Sequence, residues 1–326
     1  MSDKPIIAIS RQVPEQLLEP LFAFGEVRMP DAPPPTDLLS VMKDADYALV
    51  TAGDQVDEAL LDACPNLKMV STVSAGYDHI DVEACSERGI RVCNTPKAVG
   101  AATADMAFGL LLAASRRIVE ADAFVRAGKW TRSAEPLFGV DVNHKQLGIV
   151  GLGRIGAELA KRARGFDMDV TYYNRRRLSV EEEQRLGVRY LDFDSLLEQS
   201  DALMVQAPYG PATHHLIGAE QLARMKPGAV LVNAARGGVV DDAALAAALR
   251  EGRIAAAGLD VTEGEPDVHP DLLGLPNVVL SPHSGASTRD THRRMTLEAF
   301  GNLLDALRGE PLSNCINPLP ATADIA

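Results

Sequence analysis

The sequence predicts an α/β protein with two units, each built on a parallel β-sheet. Its 326 residues suggest two domains, since roughly 150 residues is a usual domain size. Short apolar runs rich in β-branched residues alternate with helical stretches, which is typical of parallel strands joined by helices. Two separate series of such runs follow one another along the chain, and each series predicts one α/β unit.

The first series begins with the strand "IIAIS" (6–10). The runs "DYALVT" (46–51) and "LKMVSTVSAG" (67–76) follow, and each precedes a helical stretch. After this series, an apolar-rich stretch from about Ala101 to Arg126 predicts one long helix. The Pro-rich "PDAPPPTD" (30–37) predicts a rigid surface turn.

The second series opens at "KQLGIVGLGRIG" (145–156) and continues through "DVTYYN", "VRYL", "ALMVQA", "AVLVNAA", "AAAGLDV" and "NVVLSP". Helix signals lie between these strands; "DDAALAAALREG" (241–252) starts with two aspartates and ends at a glycine. The stretch 287–309 predicts one amphipathic helix, and the last ten residues, 317–326, predict a loose tail.

Composition narrows the possible partners. A net charge of −13 argues against binding to nucleic acid or to an anionic membrane surface. The four cysteines have no zinc-ligand spacing, so we expect no metal and reduced thiols. The apolar run 106–114 is far shorter than the roughly 20 residues of a membrane span. We found no signal peptide, and we expect a cytoplasmic protein.

The glycines of "GIVGLGRIG" predict a dinucleotide site. Gly151 permits a tight turn, Gly153 lets a pyrophosphate approach the backbone, and Gly156 lets the helix pack closely on the strand. A strand precedes these glycines and a helix follows, so the N–H groups that begin the helix can bind phosphate. A glycine-rich turn without a ligand is the alternative.

The stretch "TYYNRRR" (171–177) lies where NAD-binding proteins place an acidic residue against the ribose 2′-hydroxyl, about 20 residues beyond the glycines. Here Asn174 stands instead, followed by Arg175 and Arg176, which can make charge-assisted bonds to a 2′-phosphate. This predicts NADP(H) in preference to NAD(H), with NAD(H) still possible. A solvated arginine loop is the alternative, and Arg177 fits that interpretation best.

Three residues of complementary chemistry follow later strands: Arg236, Glu265 and His283. Open α/β sheets bind ligands at the carboxyl ends of their strands, where each of these residues falls. A single arginine or histidine at such a place is usually structural. The three together predict a catalytic site.

In these motifs the chain resembles the D-isomer-specific 2-hydroxyacid dehydrogenase family. "GLGRIG", "NAARGGVVDDAAL", "AAAGLDVTEGEP" and "SPHSGAS" carry the resemblance in the family's order, and it covers nearly the whole chain. "YNRRR" and "NCINP" (314–318) resemble the branch of glyoxylate/hydroxypyruvate and 2-ketogluconate reductases, which favours NADPH. The resemblance implies a Rossmann cofactor domain (99–285) inserted into a flavodoxin-like substrate domain (1–98 and 286–326).

The resemblance also implies residue roles. His283 would be the general acid, paired with Glu265, while Arg236 would bind the carboxylate of a small 2-keto acid. The N–H groups of Ala75 and Gly76 would bind the same carboxylate. Besides the glycine loop and the Asn–Arg–Arg stretch, the implied cofactor contacts are Thr103, Arg154, Ile155, Ala207, Pro208, Thr213, Ala234, Ala235, Arg236, Asp260, His283 and Gly285.

Several expectations remain open at this point. Many relatives carry Leu-Pro-Leu-Thr where this chain has Ala207 to Gly210, so the role of Tyr209 is undecided. His214 and His215 are interpreted as a surface pair at a helix start, and Trp130 as a packing or dimer contact. The resemblance implies a homodimer formed through the helix of 101–126. An NAD(P)H-sensing binding protein, like the corepressors that share this fold, is the alternative function.

Overall fold

The computed structural model of the protein describes residues 4–31, 37–135 and 137–318. The chain divides into two compact units, one formed by 1–99 with 288–326 and the other by 100–287. Residues 32–36 of the Pro-rich stretch and 319–326 of the predicted tail lie outside the described residues, together with the predictions made for them. Within the described part, no helix is long and apolar enough to cross a membrane.

The first unit contains a five-stranded parallel sheet in the order β2-β1-β3-β4-β5. This is a flavodoxin-like order, with the first strand between the second and third. Its strands are β1 (Ile6–Ile9), β2 (Glu26–Arg28), β3 (Tyr47–Thr51), β4 (Met69–Val73) and β5 (Arg91–Cys93). Its helices are α1 (Glu15–Phe22), α2 (Leu38–Met42), α3 (Glu58–Asp62), α4 (Val82–Glu87) and α13 (Arg289–Arg308).

Both faces of this sheet are buried. Successive residues of a strand point to opposite faces, and along β3 Ala48 packs with α2, α3 and α4 while Leu49 packs with α1 and α13. The helix predicted over 287–309 is confirmed as α13, which Thr288 caps at its start and Gly309 ends with a φ of 71°.

The second unit contains a seven-stranded parallel sheet in the order β12-β11-β10-β9-β6-β7-β8. Counted within the unit, the order is 3-2-1-4-5-6-7, which is the doubly wound dinucleotide-binding order extended by one strand. Its strands are β6 (Gln146–Val150), β7 (Asp169–Tyr173), β8 (Arg189–Tyr190), β9 (Ala202–Val205), β10 (Val230–Asn233), β11 (Ala256–Leu259) and β12 (Val278–Leu280). The predicted fold class is therefore confirmed.

The helices of the second unit correct one prediction. The single helix expected from Ala101 to Arg126 is two helices, because Arg117 adopts a left-handed φ of 52° between them. The carbonyl of Ser115 accepts a hydrogen bond from Val140 N at 2.8 Å, which ends the first helix. The helices are α5 (Gly100–Ser115), α6 (Ile118–Arg126), α7 (Arg154–Ala163), α8 (Val180–Leu186), α9 (Phe193–Gln199), α10 (Ala219–Arg224), α11 (Asp242–Arg250) and α12 (Pro270–Leu273).

Candidate active site

The three glycines of the loop after β6 differ in what a side chain at each position would contact. Gly151 has a φ of 94°, and a Cβ there would lie 2.7 Å from Ala207 N. A Cβ on Gly156 would press on Leu152 at 3.1 Å, so this glycine permits close packing of α7 on the sheet. A Cβ on Gly153 would meet no heavy atom within 4 Å. The open space beside Gly153 is where a bound diphosphate can approach the backbone.

The start of α7 adds N–H donors beside this open space. Gly153 is the N-cap residue and offers no side chain to the first N–H groups of the helix, of which Arg154 and Ile155 are the first two residues. Those N–H groups and the positive end of the helix dipole favour an anion. After β9, the buried amide atoms of Gln206 have no hydrogen-bond partner in the described part of the chain. The residues present therefore fit a dinucleotide cofactor.

Asn174 supports the glycine loop with its own side chain. Its Oδ1 accepts a hydrogen bond from Leu152 N at 2.6 Å, and its Nδ2 donates to Leu152 O at 3.1 Å. The amide thus joins the end of β7 to the loop between Gly151 and Gly153. The sequence could not reveal this use, because it depends on a contact between residues 22 positions apart.

The three arginines after Asn174 differ in their partners. Arg177 donates to both carboxylate oxygens of Glu183, at 2.7 and 2.8 Å, and lies over the ring of Tyr190. Arg177 is therefore held in an ion pair, not simply solvated as the sequence suggested. Arg175 and Arg176 are exposed, and neither has a hydrogen bond or ion pair among the described residues.

His283 and Glu265 form a tight pair. The Nδ1 of His283 lies 2.7 Å from Glu265 Oε2, while Glu265 Oε1 accepts a hydrogen bond from Thr262 N at 3.1 Å. The hydrogen bond to Glu265 raises the pKa of His283 against the opposing effect of burial. Burial favours a higher pKa for Glu265, but the hydrogen bond and the charge of His283 outweigh it and lower that pKa. The pair therefore favours a protonated imidazole beside an ionised carboxylate.

Asp260 fixes the backbone that presents His283. His283 has a left-handed φ of 49°, an unusual conformation for a residue with a side chain. Its N–H donates to Asp260 O at 2.8 Å, and the buried Asp260 carboxylate accepts from the N–H groups of Ser284 and Gly285, each at 2.8 Å. A Cβ on Gly285 would lie 3.2 Å from Thr103, so Thr103 closes the other side of this turn.

Arg236 lies on a loop that packs against the loop of Glu265. The buried Asn233 accepts from Ala235 N at 3.1 Å and donates to Arg236 O at 2.9 Å. A Cβ on Gly237 would collide with the carbonyl of Thr262, the residue whose N–H binds Glu265. Sequence reasoning missed Asn233 and Thr262; the Asn of "LVNAARG", at the end of its strand, is the one signal that could have found the former.

Side chains of the loop after β9 hold it in place through contacts with one another and with neighbouring loops. Ala207 is buried beside Gly151, and Ala234 is likewise buried after β10. Thr213 donates its hydroxyl to Pro208 O at 2.7 Å. Tyr209 lies against Gly238, where a Cβ would come within 2.8 Å of its ring, and its hydroxyl lies 3.3 Å from His214 Nδ1.

His214, His215 and Glu263 form a cluster beside this loop. Their ligand atoms lie within 4.8 Å of one another, close enough to suggest a cation site. The two imidazole rings stack at 3.9 Å with their planes 24° apart, so their in-plane lone pairs do not point to a common centre. His215 Nε2 instead lies 3.0 Å from the Glu263 carboxylate. The histidines thus contact each other and Glu263.

In the first unit, Ala75 and Gly76 form a turn after β4. Asn94 donates to Ala75 O at 2.7 Å and Ser74 donates to Gly76 O at 2.6 Å. The N–H groups of Ala75 and Gly76 donate to no group in the described residues. This turn therefore holds its carbonyls in place and leaves two N–H donors for another acceptor.

The comparisons agree with this fold and site. A sequence model described as "D-isomer specific 2-hydroxyacid dehydrogenase, NAD binding domain" matches residues 108–285. The chain is 45% identical over 322 residues to a glyoxylate reductase of Thermococcus litoralis, covering 96% of this chain and 97% of that protein. It is 44% identical to glyoxylate/hydroxypyruvate reductase B of Shigella boydii, covering 97% and 98%.

Solved structures show the same architecture. A glyoxylate reductase from Paecilomyes thermophila superposes with a TM-score of 0.88 at 35% identity, over 97% of this chain and 99% of that one. An NADPH-dependent glyoxylate/hydroxypyruvate reductase from Sinorhizobium meliloti, solved in complex with NADP and malonate, has a TM-score of 0.86 at 32% identity, over 99% and 100%.

These matches define a class of NAD(P)-dependent oxidoreductases built on two parallel α/β units. The chain belongs to the D-isomer-specific 2-hydroxyacid dehydrogenase family.

Proposed function

We propose that this protein reduces the 2-keto acids glyoxylate and hydroxypyruvate to 2-hydroxy acids, with NADPH preferred over NADH. Where the product is chiral, as from hydroxypyruvate, the proposed configuration at C2 is D. The relatives named above carry these substrates in their names. The motifs "YNRRR" and "NCINP", which resemble those of the 2-ketogluconate reductases, add that longer keto acid to the proposed range. The observation that carries the proposal is the pairing of His283 with Glu265 at 2.7 Å on the loops after β12 and β11.

The protein would hold the cofactor with the backbone of the glycine loop and the first N–H groups of α7. The open space beside Gly153 supports this assignment, because a side chain there would otherwise be tolerated. Bound in its reduced form, the nicotinamide supplies the hydride. The protein's own residues must then bind the keto acid and supply one proton.

His283 is the proposed proton donor. Its Nδ1 is engaged by Glu265, so Nε2 is the nitrogen left to face a substrate carbonyl. Because Glu265 raises the pKa of His283, the imidazole stays protonated to higher pH than an isolated histidine. Glu265 is itself fixed by Thr262 N, which keeps the pair from rotating away.

Arg236 is the proposed carboxylate ligand, since a guanidinium can bind the two oxygens of a carboxylate together. Its backbone is anchored by Asn233, so the loop is fixed before a ligand binds. The N–H groups of Ala75 and Gly76 are proposed as further donors to that carboxylate. Their lack of any acceptor within the described residues supports this role.

Arg175 and Arg176 are the proposed readers of the 2′-phosphate. Both are exposed and without a partner in the described part of the chain, whereas Arg177 is committed to Glu183. No acidic side chain stands at position 174 to repel a phosphate. Each charge-assisted hydrogen bond is worth about 1.5–3 kcal/mol.

The first experiment is to follow NADPH and NADH oxidation with glyoxylate, hydroxypyruvate and 2-ketogluconate, and to compare kcat/KM. We expect turnover with all three acids and a higher kcat/KM for NADPH than for NADH. Equal or better use of NADH would contradict the proposed preference. Tight NADPH binding without turnover on any of the three acids would favour the NAD(P)H-sensing function instead.

A homodimer is the proposed assembly. The resemblance placed its contact surface on a helix of 101–126; we propose that the surface is formed by α6 and the segment after it. Most of α5 is buried in its own unit, whereas α6 has no buried residue. Trp130 and Phe138 are 74% and 79% exposed, so the described residues leave most of the Trp130 side chain uncovered. Light scattering should give twice the chain mass, and Ile118→Asp should shift it towards the monomer. A monomeric wild type would contradict this assembly.

The cytoplasmic location stays a prediction.

A further inference from the structure

Cys93 and Cys315 lie opposite each other on two antiparallel segments of the first unit. Asn94 N donates to Asn314 O and Ile316 N donates to Val92 O, at 3.3 and 2.8 Å. These bonds flank the cysteines, so the two form a non-hydrogen-bonded antiparallel pair. Side chains are closest at such positions, with Cα atoms about 4.5 Å apart. That separation lies within the range of about 4.4–6.8 Å in which a disulfide forms.

The two thiols differ in access to solvent. Cys93 is fully buried in the core beside β4 and α13, while Cys315 is partly exposed. Burial, together with the neighbouring Cys315 thiol, raises the pKa of Cys93 to about 12. Cys315 is therefore the thiol that an oxidant in solution can reach first, and Cys93 is positioned behind it.

The remaining cysteines provide a contrast inside the same unit. Cys64 and Cys85 are both buried, and no described strand pairing places either of them opposite another cysteine. Burial raises the pKa of both thiols, that of Cys85 to about 11. Burial alone therefore does not single out Cys93; its position opposite Cys315 does.

We propose that Cys93 and Cys315 are a reversible oxidation site, which forms an intrachain disulfide on reaction with a hydroperoxide. The Cys315 thiolate attacks one peroxide oxygen; the O–O bond breaks, giving a sulfenic acid at Cys315 and, with hydrogen peroxide, one water. The Cys93 sulfur then attacks the Cys315 sulfur, and the S–O bond breaks. A second water leaves with the Cys93 proton. The two thiols lose two electrons in total, and the peroxide is reduced to two waters.

The Cys93–Cys315 disulfide would fix the 314–318 segment, the "NCINP" motif, to the end of β5. Asn314 already donates to Asn302, which in turn donates to Asn94 O at 3.0 Å. Asn94 is the residue whose side chain holds the carbonyl of Ala75. The oxidation site therefore adjoins the polar network that supports the Ala75–Gly76 turn.

The test treats the folded, fully reduced protein with hydrogen peroxide, then blocks remaining thiols with N-ethylmaleimide during denaturation. Trypsin should release residues 92–97 and 309–326 as one disulfide-linked pair, identified by mass spectrometry. Dithiothreitol should return both peptides to free thiols. If Cys93 stays fully alkylated while Cys315 accumulates higher oxides or links two chains, the proposal is overturned.

Variants separate the two steps. The double variant Cys64→Ala/Cys85→Ala should form the disulfide-linked peptide pair as the wild type does. Absence of the linked pair in this variant would count against the proposal. Cys93→Ala should lose the linked pair completely and accumulate a sulfenic acid at Cys315 that dimedone traps. Cys315→Ala should leave Cys93 as unreactive as Cys64 and Cys85. Oxidation of Cys93 at the wild-type rate in that variant would show that Cys315 is not the point of attack.

Discussion

At the carboxyl ends of β11 and β12, Glu265 and His283 bind each other at 2.7 Å. At the carboxyl end of β7, in the same sheet, Arg175 and Arg176 extend into solvent without a partner among the described residues. Both regions concentrate charge at one edge of one sheet. In the first region the protein itself pairs the charged side chains. In the second, the arginine side chains have no partner among the described residues and are available to a ligand.

This difference matches what each region has to do. A proton donor must be correctly oriented and ionised before the reaction, so its geometry is fixed by the fold. A group that discriminates between two cofactors needs only to gain a bond when the 2′-phosphate is present. Changes at the first region should therefore reduce turnover with every substrate and cofactor, and changes at the second should alter only the choice of cofactor.

The largest effect is expected at the catalytic pair. His283→Asn should lower kcat for hydroxypyruvate by about 10²–10⁴-fold, because it removes the proton donor. Asparagine tolerates the left-handed φ of residue 283, so the loop should keep its shape. NADPH affinity measured by fluorescence should change little. A variant that retains wild-type kcat would exclude His283 as the donor.

A smaller effect is expected at the solvent-exposed arginines. Arg175→Ala/Arg176→Ala should lower kcat/KM with NADPH by about a hundredfold or more, since two charge-assisted bonds are lost, and should leave kcat/KM with NADH nearly unchanged. Arg177→Ala is the matched control; its side chain binds Glu183, so the NADPH/NADH ratio should stay constant. Equal ratios in all three proteins would show that the arginines do not read the phosphate.

The glycine loop offers a matched pair of substitutions. Gly153→Ala places a methyl group in open space, so the protein should fold normally but bind NADPH roughly tenfold more weakly, as for one lost hydrogen bond. Gly156→Ala presses on Leu152 and the carbonyl of Gly151, and should lower the free energy of unfolding by about 1–3 kcal/mol. Urea unfolding and NADPH titration distinguish the two; unaltered NADPH binding by Gly153→Ala would argue against the diphosphate position.

The smallest effect at neutral pH is expected for Glu265→Gln. Reduction requires protonated His283, so its rate should fall as pH rises through the raised His283 pKa. Glutamine removes the charge that raises this pKa, and the fall should begin at lower pH. A drop of one pKa unit leaves about tenfold less imidazolium on the alkaline side. The pH profile of kcat/KM tests this, and an unshifted alkaline limb would contradict it.

The same pair contributes to stability over a defined pH range. The raised His283 pKa gives a contribution that is complete below the ordinary histidine pKa and is lost as pH rises through the raised value. The lowered Glu265 pKa gives a second stabilising contribution. It is present above the ordinary glutamate pKa and is lost as pH falls through the lowered value.

Much of the fold could be predicted from the sequence, because strand and helix periodicity are local properties. The alternating runs predicted two parallel sheets, and Thr288 and Gly309 bound the last helix where the pattern placed it. The break at Arg117 could not be predicted in this way. It depends on the Ser115 carbonyl meeting Val140, a residue 25 positions further on, and no local pattern contains that contact.

The sequence by itself determined which chemical groups stand at the ends of the strands: three glycines, a run of arginines, and the arginine, glutamate and histidine of the candidate site. Only the tertiary structure decided how those groups are used. It joined Asn174 to the glycine loop, Arg177 to Glu183, and Glu265 to His283, and it placed Cys93 opposite Cys315. The physical reason is that residue identity and periodicity lie along the chain, whereas hydrogen bonds and ion pairs depend on distances between residues that folding brings together.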